Sequence, residues 1–244
     1  MSVNTVNSLF LPHIPEQISE KEALLIEVDR QVLPSHNELM HYLTASEKKQ
    51  FSSVEYAQAR DRMIVSRAML RVLLGYYLSC SPEAVAMATR SYGKPELKDQ
   101  VLFFNVSHTK HKYMYLLARS VPVGVDTEYI NPRKQWHDIA RDYFHPDEYA
   151  FLLKSVGDPD AIRQFYSIWV GKEAVMKFSG FGMSLPINSF CIYPDKELQT
   201  VYYEFKKKLY CCALRLMERR DQFKCAIATP EGEKIKINHI IINE

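Results

Sequence analysis

Two stretches of the chain carry the hydrophobic spacing of long helices. In residues 58–78, and again in residues 161–178, apolar side chains recur three and four positions apart, which predicts an amphipathic helix in each stretch. Glu173 falls on the apolar face of the second helix, four residues after Trp169 and three before Met176. Because a carboxylate rarely stays on such a face unless it is paired or holds a metal, Glu173 is a candidate site residue.

A strand pattern supplies possible partners for this carboxylate. Residues 123–129 alternate in the manner of a strand, so that Asp126 and Glu128 share one side. Side chains two apart on a strand point the same way, with Cα atoms roughly 6.5–7 Å apart. Two carboxylates from a strand and one from a helix would form an all-oxygen site suited to a hard cation such as Mg²⁺.

The remaining pattern mixes short strands with helices. Thr44 or Ser46 is placed to start a second turn or a capping box. Helices beside antiparallel strands in each half predict an α+β fold, with a boundary near Ser120 that separates an N-terminal subdomain (1–120) from a C-terminal one (121–244). The pattern assigns no element to the tail, residues 230–244. The predicted helices are 37–51, 58–78, 135–143, 146–154 and 161–178, and the predicted strands are 23–29, 101–106, 113–118, 121–129, 188–193, 199–205, 209–217 and 223–228.

Composition narrows the class of protein. The chain has 244 residues, 47% of them hydrophobic and 25% charged, which is enough to bury a globular core. A net charge of +2 argues against bulk binding to nucleic acid. The sequence has no run of roughly 18 apolar residues, so it predicts no membrane span. Five cysteines without C-x-x-C spacing, and no evident signal peptide, favour a reducing, cytoplasmic location.

Several short segments follow one another in the order of a known family's motifs. They are Tyr92-Gly-Lys-Pro95, Phe104-Asn-Val-Ser-His-Thr109, Gly124-Val-Asp-Thr-Glu128, Tyr143-Phe-His-Pro-Asp-Glu-Tyr-Ala-Phe-Leu-Leu153, and Trp169-Val-Gly-Lys-Glu-Ala-Val-Met-Lys177 followed by Gly180-Phe-Gly-Met-Ser-Leu-Pro186. Over residues 45–193 the chain thus resembles the Sfp-type 4′-phosphopantetheinyl transferases. Gly171 is a departure, because a helix former is expected there and glycine costs about 1 kcal/mol relative to alanine.

The resemblance implies a fold and a metal site. It implies two similar α+β subdomains in a pseudo-twofold arrangement, with the active site in the cleft between them. Asp126, Glu128 and Glu173 are expected to hold Mg²⁺. Glu173, directly or through a water, is the expected base for the proton of the accepting serine. Lys172 is expected to contact a phosphate or to assist the same step.

The resemblance also assigns side chains to coenzyme A, the substrate it implies. Ser107 and His108 are expected on the phosphates, with Lys177 on a phosphate oxygen. Lys94 is expected beside the nucleotide. Arg62, on an arginine-bearing helix, matches the position that reaches the adenosine end and its 3′-phosphate, and Lys48 is a second candidate for that contact.

Plainer readings of these residues remain open at this point. Asp126 and Glu128 could line a solvated sheet face, and Glu173 could pair with Lys177 at i,i+4. The arginines of the 58–78 helix could form a solvated or salt-bridged face. A basic cluster could be solvated or could dock an acidic partner. Its members are Lys206, Lys207, Lys208, Arg215, Arg219 and Arg220.

The activity implied is transfer of 4′-phosphopantetheine from coenzyme A to a serine of an apo acyl or peptidyl carrier protein, by a chain expected to be a monomer. One rival is a Mg²⁺-dependent phosphohydrolase or nuclease, which also uses clustered carboxylates. A second is a non-catalytic protein that binds a nucleotide or a carrier. Incubation with coenzyme A and a carrier separates these possibilities, because transfer alone adds mass to the carrier.

Overall fold

The structure of the protein is a computed structural model that describes residues 12–155, 160–217, 219 and 221–243. Helices and sheets are mixed, in agreement with the predicted α+β class. The helices are α1 (His36–Leu39), α2 (Ala45–Ser52), α3 (Ala57–Leu78), α4 (Trp136–Tyr143), α5 (Pro146–Lys154) and α6 (Ala161–Ser179). The strands are β1 (Glu22–Asp29), β2 (Met87–Thr89), β3 (Pro95–Leu97), β4 (Phe103–His108), β5 (Lys112–Ala118), β6 (Gly124–Tyr129), β7 (Leu198–Phe205), β8 (Lys208–Met217), β9 (Phe223–Thr229) and β10 (Lys236–Ile242). No helix in the described ranges is long and apolar enough to cross a membrane.

Two four-stranded sheets organise the described chain. The first has the order β10-β1-β5-β4 and the second the order β6-β9-β8-β7, while β2 and β3 form a separate hairpin. Strand β10 runs parallel to β1, with Lys236 opposite Glu22. The tail, for which the sequence predicted no element, therefore returns to the sheet of the N-terminal half. If the chain is divided near Ser120, β10 belongs to the second half of the sequence, although the other strands of its sheet belong to the first half.

Each sheet contributes to a core with one long helix. Helix α3 shares the first core with apolar residues of β1 and β5, and α6 shares the second with residues of β8 and β9. Both helices occupy the stretches that the three-and-four spacing predicts. Helix α6 ends where Gly180 adopts a positive φ of 72°, with its N–H bonded to the carbonyl of Met176.

Two glycines record how closely α6 packs on the second sheet. A Cβ on Gly124, at the start of β6, would lie 2.2 Å from the carbonyl oxygen of Ala174 on α6. A Cβ on Gly171 would lie 2.9 Å from Ile192 Cγ2 and 3.2 Å from Leu214 Cδ2. A Cβ so close to the Ala174 carbonyl would displace backbone, and a Cβ on Gly171 would press on two side chains, so glycine at both positions lets the helix lie this near the sheet. Close packing thus explains the glycine in the helix and brings Glu173 alongside β6.

The helix predicted over 37–51 is broken into shorter pieces. Helix α1 passes into a short 3₁₀ turn, and α2 then begins after Thr44. Thr44 is the N-cap of α2: its hydroxyl accepts from the Glu47 N–H, and the Glu47 carboxylate accepts from the Thr44 N–H. The capping box expected at Thr44 is confirmed. An N-cap residue leaves the helical region, so the box that starts α2 also ends any continuous helix.

The strand predicted at 188–193 is wrong. The segment forms a 3₁₀ turn at Ile187–Ser189 and then irregular backbone. Its backbone groups bond buried side chains instead of a neighbouring strand: Lys172 Nζ donates to the carbonyls of Ile187 and Phe190, and the N–H of Ile192 donates to Glu148. Side-chain partners therefore satisfy polar groups that a sheet would otherwise pair. Among the other strands, β4 begins and ends two residues later than predicted, and β6 begins at Gly124.

Candidate functional site

Asp126 lies where β6 meets both β4 and α6. The close approach at Gly124 brings this strand against the helix that carries Glu173 and Lys177. The Asp126 side chain is buried, and its Oδ1 accepts from Lys177 Nζ at 2.7 Å and from Ser107 Oγ at 2.7 Å. A charged residue from the helix and a hydroxyl from β4 therefore meet on one oxygen of a strand carboxylate.

The second oxygen of Asp126 is left unpaired by the residues that the structure describes. Oδ2 is buried and accepts no hydrogen bond from any of them. A buried carboxylate oxygen without a donor is costly, because desolvation is not offset by a hydrogen bond or a cation. Asp126 thus presents an unused acceptor beside the lysine of α6.

Glu128 and Glu173 place further negative charge around Asp126. Desolvation, and then the charge of Asp126, raises the pKa of Glu128 to about 7. Desolvation followed by Asp126 also raises the pKa of Glu173 above its ordinary value. Crowded carboxylates in a partly dry environment disfavour one another's charged forms, and a cation relieves that repulsion. The solvated-face alternative for the strand acids does not account for these shifts.

The donor chemistry here fits a hard divalent cation such as Mg²⁺. Carboxylate oxygens are its preferred protein ligands, and Asp126 Oδ2 is an acceptor in need of one. In the described part of the chain, however, no three His, Cys, Asp or Glu side chains converge into a ready-made metal cluster. Glu128 and Glu173 would turn toward Asp126 to complete the set, so their assignment as ligands stays a prediction.

Lys177 pairs across elements and not along its own helix. Its amine forms the ion pair with Asp126 and also donates to Ser107 Oγ at 3.1 Å. The alternative of a helix pair with Glu173 does not explain this position. Ser107 itself is buried and holds Asp126, so its hydroxyl is occupied with the strand carboxylate, whereas contact with phosphate was expected.

His108 lies within the electrostatic reach of Lys177 and Arg62. His108 is the last residue of β4 and keeps an exposed surface. Desolvation by its surroundings, and then the charges of Lys177 and Arg62, lowers the pKa of His108. Arg62, half-buried on α3, is therefore close enough to act electrostatically on His108. Lys48 lies half-buried on α2, and its expected contact with the 3′-phosphate stays a prediction.

Lys94 closes the end of α6. Its amine donates to the carbonyl of Lys177 at 2.6 Å and to that of Val123 at 3.1 Å. Desolvation, with a smaller effect of Arg90, lowers the pKa of Lys94 to about 8. Lysines bond favourably to the last carbonyls of a helix. The amine expected beside the nucleotide is thus committed to protein carbonyls.

The expectation for Lys172 is wrong. Its side chain is 0% exposed and pairs with the equally buried Glu148 at 2.9 Å. Burial lowers the pKa of Lys172 and raises that of Glu148. With its amine also bonded to two carbonyls near residue 190, it has no access to a phosphate. Glu148 also completes a capping box with His145 at the start of α5, a local role that does not reveal its distant partner.

A cavity of about 300 Å³ opens beside Glu173 and Lys177. It lies between the β2–β3 hairpin, β4 and the end of α6, and Glu173 and Lys177 line it together with Lys94. Its mouth carries Met183 and Tyr92, which are exposed. A larger cavity of about 620 Å³ lies under β7–β9 and residues 231–237, and none of the predicted site residues lines it. The smaller cavity is therefore the one that the predicted site residues line.

Other basic residues are held in salt bridges. Arg67 and Arg71 of α3 both pair with Glu47, which agrees with the salt-bridged alternative for that helix face. Arg219 pairs with the buried Glu27. Lys206 and Lys207 in the turn before β8, and Lys208 at the start of that strand, are exposed. Arg220 lies outside the described residues.

Comparisons with known proteins identify the family. Residues 122–228 match the model of the 4′-phosphopantetheinyl transferase superfamily. The 4′-phosphopantetheinyl transferase gsp of Aneurinibacillus migulanus is 33% identical over 187 residues, which are 75% of this chain and 73% of that protein. The 4′-phosphopantetheinyl transferase Sfp of Bacillus subtilis is 26% identical over 204 residues, 83% of this chain and 89% of its own length. A putative 4′-phosphopantetheinyl transferase of Synechocystis is 28% identical over 189 residues, which are 76% of this chain and 74% of that protein. The chain therefore belongs to the 4′-phosphopantetheinyl transferase superfamily and is a transferase.

Proposed function

We propose that this chain transfers the 4′-phosphopantetheine arm of coenzyme A to a serine hydroxyl of an apo acyl or peptidyl carrier protein, releasing adenosine 3′,5′-bisphosphate. The observation that carries the proposal is Asp126: one buried oxygen bonds Lys177 and Ser107, and the other has no partner within the described ranges of the chain. Cations and acceptors arranged in this way suit a diphosphate and its counter-ion. The family and its relatives give no support to the phosphohydrolase or nuclease alternative.

Two cationic side chains and a histidine would provide for the phosphates. Lys177 at the cavity and Arg62 on α3 act electrostatically on His108 at the end of β4. In phosphoryl transfer the protein mainly positions the reacting groups and neutralises charge. Lys177 would leave Asp126 for a phosphate oxygen when the substrate binds, and Arg62 would reach the 3′-phosphate, with Lys48 in support.

Asp126, Glu128 and Glu173 would hold Mg²⁺. A bound Mg²⁺ supplies charge neutralisation on the diphosphate as the bond to the leaving phosphate breaks. Glu173 would accept the serine proton, directly or through a water, because it lines the cavity from which the serine would approach. The half-buried position of Glu173 at the cavity lets a serine from outside reach it.

The arrangement of the chain supports further parts of the proposal. Each four-stranded sheet carries one long helix, and the candidate site lies where β4 of one sheet meets β6 of the other. We therefore place two similar subdomains about a pseudo-twofold axis, divided near Ser120, with the site in the cleft between them. A monomer accords with a site built from one chain, and the five free cysteines accord with a cytoplasmic location.

Incubation with coenzyme A, Mg²⁺ and a panel of apo acyl and peptidyl carriers tests the proposal. The expected result is a carrier heavier by one phosphopantetheine group on its serine, with adenosine 3′,5′-bisphosphate in equal amount, by mass spectrometry. A serine-to-alanine carrier is the matched control and should gain no mass. Release of the bisphosphate without any gain on the carriers would indicate hydrolysis and contradict the proposal.

A further inference from the structure

Three polar side chains at alternate positions of one strand bond three backbone N–H groups of another. Asn105 Oδ1 accepts from the N–H of Val125 at 2.9 Å. Ser107 Oγ accepts from the N–H of Thr127 at 3.3 Å, and Thr109 Oγ1, just beyond β4, accepts from the N–H of Tyr129 at 3.3 Å. Each donor lies 20 residues after its acceptor. We call these three bonds the side-chain ladder.

The ladder occupies the free edge of β6. This strand is the first in the order β6-β9-β8-β7, so β9 covers one of its edges. In an antiparallel pair alternate residues direct their N–H groups to the partner strand, and the intervening N–H groups point to the opposite edge. The N–H groups that bond Asn105, Ser107 and Thr109 are such intervening groups. The ladder therefore replaces a neighbouring strand with side chains from the other sheet.

The three donors bracket the carboxylates of the candidate site. The N–H of Val125 precedes Asp126, that of Thr127 lies between Asp126 and Glu128, and that of Tyr129 follows Glu128. The middle acceptor, Ser107, also donates to Asp126 Oδ1. A ladder fixed at three successive rungs allows neither a slip nor a rotation of β6 relative to β4, because either would break all the bonds together.

We infer that Asn105 and Thr109 are positioning residues, which hold Asp126 and Glu128 in register with His108 on β4. The inference rests on the proposed function, and it adds a positioning role for two side chains whose oxygens bond the backbone of β6. Asn105 also lines the cavity, whereas Thr109 is not among its lining residues. Small displacements of groups around a reacting phosphate lower the rate strongly. Binding of coenzyme A depends chiefly on other side chains, so the ladder affects turnover more than affinity.

Thr109→Val tests the inference, because it removes the acceptor oxygen while keeping a β-branched side chain. Hydrogen–deuterium exchange of the full chain, without coenzyme A or Mg²⁺, should become about tenfold faster in residues 124–129 and stay unchanged elsewhere. In the transfer assay kcat should fall about tenfold while the KM for coenzyme A changes less than about twofold. Thr109→Ser, which retains the hydroxyl, should restore both values. Thr200→Val, the same substitution on the distant edge strand β7, should change neither.

Asn105→Ala provides an independent variant at the other end of the ladder, with faster exchange expected around Val125. Unchanged exchange in β6 in both variants would overturn the inference, as would faster β6 exchange with normal kcat. Faster exchange throughout the chain would also overturn it, because the side chains would then serve general stability alone. A wild-type chain without transfer activity would contradict the proposed function, and the exchange data would still decide whether the ladder holds β6.

Discussion

Helix α6 carries two lysine–carboxylate pairs that differ in almost every physical respect. Lys172 and Glu148 are both 0% exposed, whereas Lys177 is 28% exposed and its partner Asp126 is 7% exposed. Residues five apart on a helix lie about 140° from one another around its axis, so one lysine enters the core and the other reaches the cavity. The same residue type on the same helix therefore belongs to the core in one case and to the candidate site in the other.

The two pairs have similar N–O distances, but their carboxylates differ in how many of their oxygens are hydrogen-bonded. Glu148 bonds Lys172 and the N–H groups of His145 and Ile192. Asp126 has Oδ1 bonded, whereas Oδ2 finds no partner in the part of the chain that the structure describes. A buried pair whose polar atoms are all hydrogen-bonded has no acceptor left for a ligand. An acceptor without a donor, next to a partly exposed lysine, can still bind one. A buried acceptor without a hydrogen-bond donor thus identifies the candidate site better than the presence of a lysine does.

Lys172→Met gives the largest expected effect on this comparison. It leaves the Glu148 carboxylate buried without its cation, which should lower the free energy of unfolding by about 3–5 kcal/mol. Urea denaturation followed by circular dichroism measures the loss. Lys177→Met, the same substitution on the same helix, is the control and should cost less, because Lys177 is partly exposed and Asp126 keeps its hydrogen bond from Ser107. Equal losses in the two variants would remove the distinction between the pairs.

Asp126→Ala should affect activity where Lys172→Met affects stability. Removal of the carboxylate that faces Lys177 should lower kcat by about 10²–10³, because stabilisation of the charged transition state is lost. Urea denaturation should show a fold close to wild type in stability. Near-normal turnover in a folded variant at saturating Mg²⁺ would sink the assignment of Asp126 to the site.

Lys177→Met should produce an intermediate effect on catalysis. A lysine on the diphosphate acts in both the ground state and the transition state, so the KM for coenzyme A should rise and kcat should fall. We expect kcat/KM to drop about 10- to 100-fold, measured by steady-state transfer to a carrier. If both kinetic constants stayed at their wild-type values, Lys177 would be a structural partner of Asp126 in the same sense as Lys172 is of Glu148.

Arg62→Ala should give the smallest effect and sharpen the edge of the candidate site. Coenzyme A differs from dephospho-coenzyme A by the 3′-phosphate, and a charge-assisted contact from Arg62 would favour the former about tenfold. The measurement is kcat/KM for both substrates with both enzymes, as a cycle between protein and ligand. Arg60→Ala, two residues or just over half a turn before Arg62 on the same helix, is a suitable control, because the Arg60 guanidinium bonds the Val54 carbonyl. A preference that Arg62→Ala leaves intact would return Arg62 to the solvated face of α3.

The sequence by itself determined the long elements and the family. Apolar spacing located α3 and α6, alternation located β5 to β9 to within a few residues, and motif order identified the family. Each of these features is local, because a helix or strand that buries one face must repeat its apolar residues with the period of that element. The carboxylates of β6 and α6 were predictable for the same reason, since an acid out of place in such a pattern is visible in a single sequence.

Only the tertiary structure decided which polar groups are matched. It turned Lys172 into the core, gave the Lys94 amine to the end of α6, and returned the tail to the first sheet as β10. It also made 188–193 irregular, because distant side chains bond its backbone. These outcomes depend on partners separated by tens of residues, and no period in the sequence encodes such pairings. Whether a charge is buried, paired or free is set by what packs beside it, and that is a property of the folded chain alone.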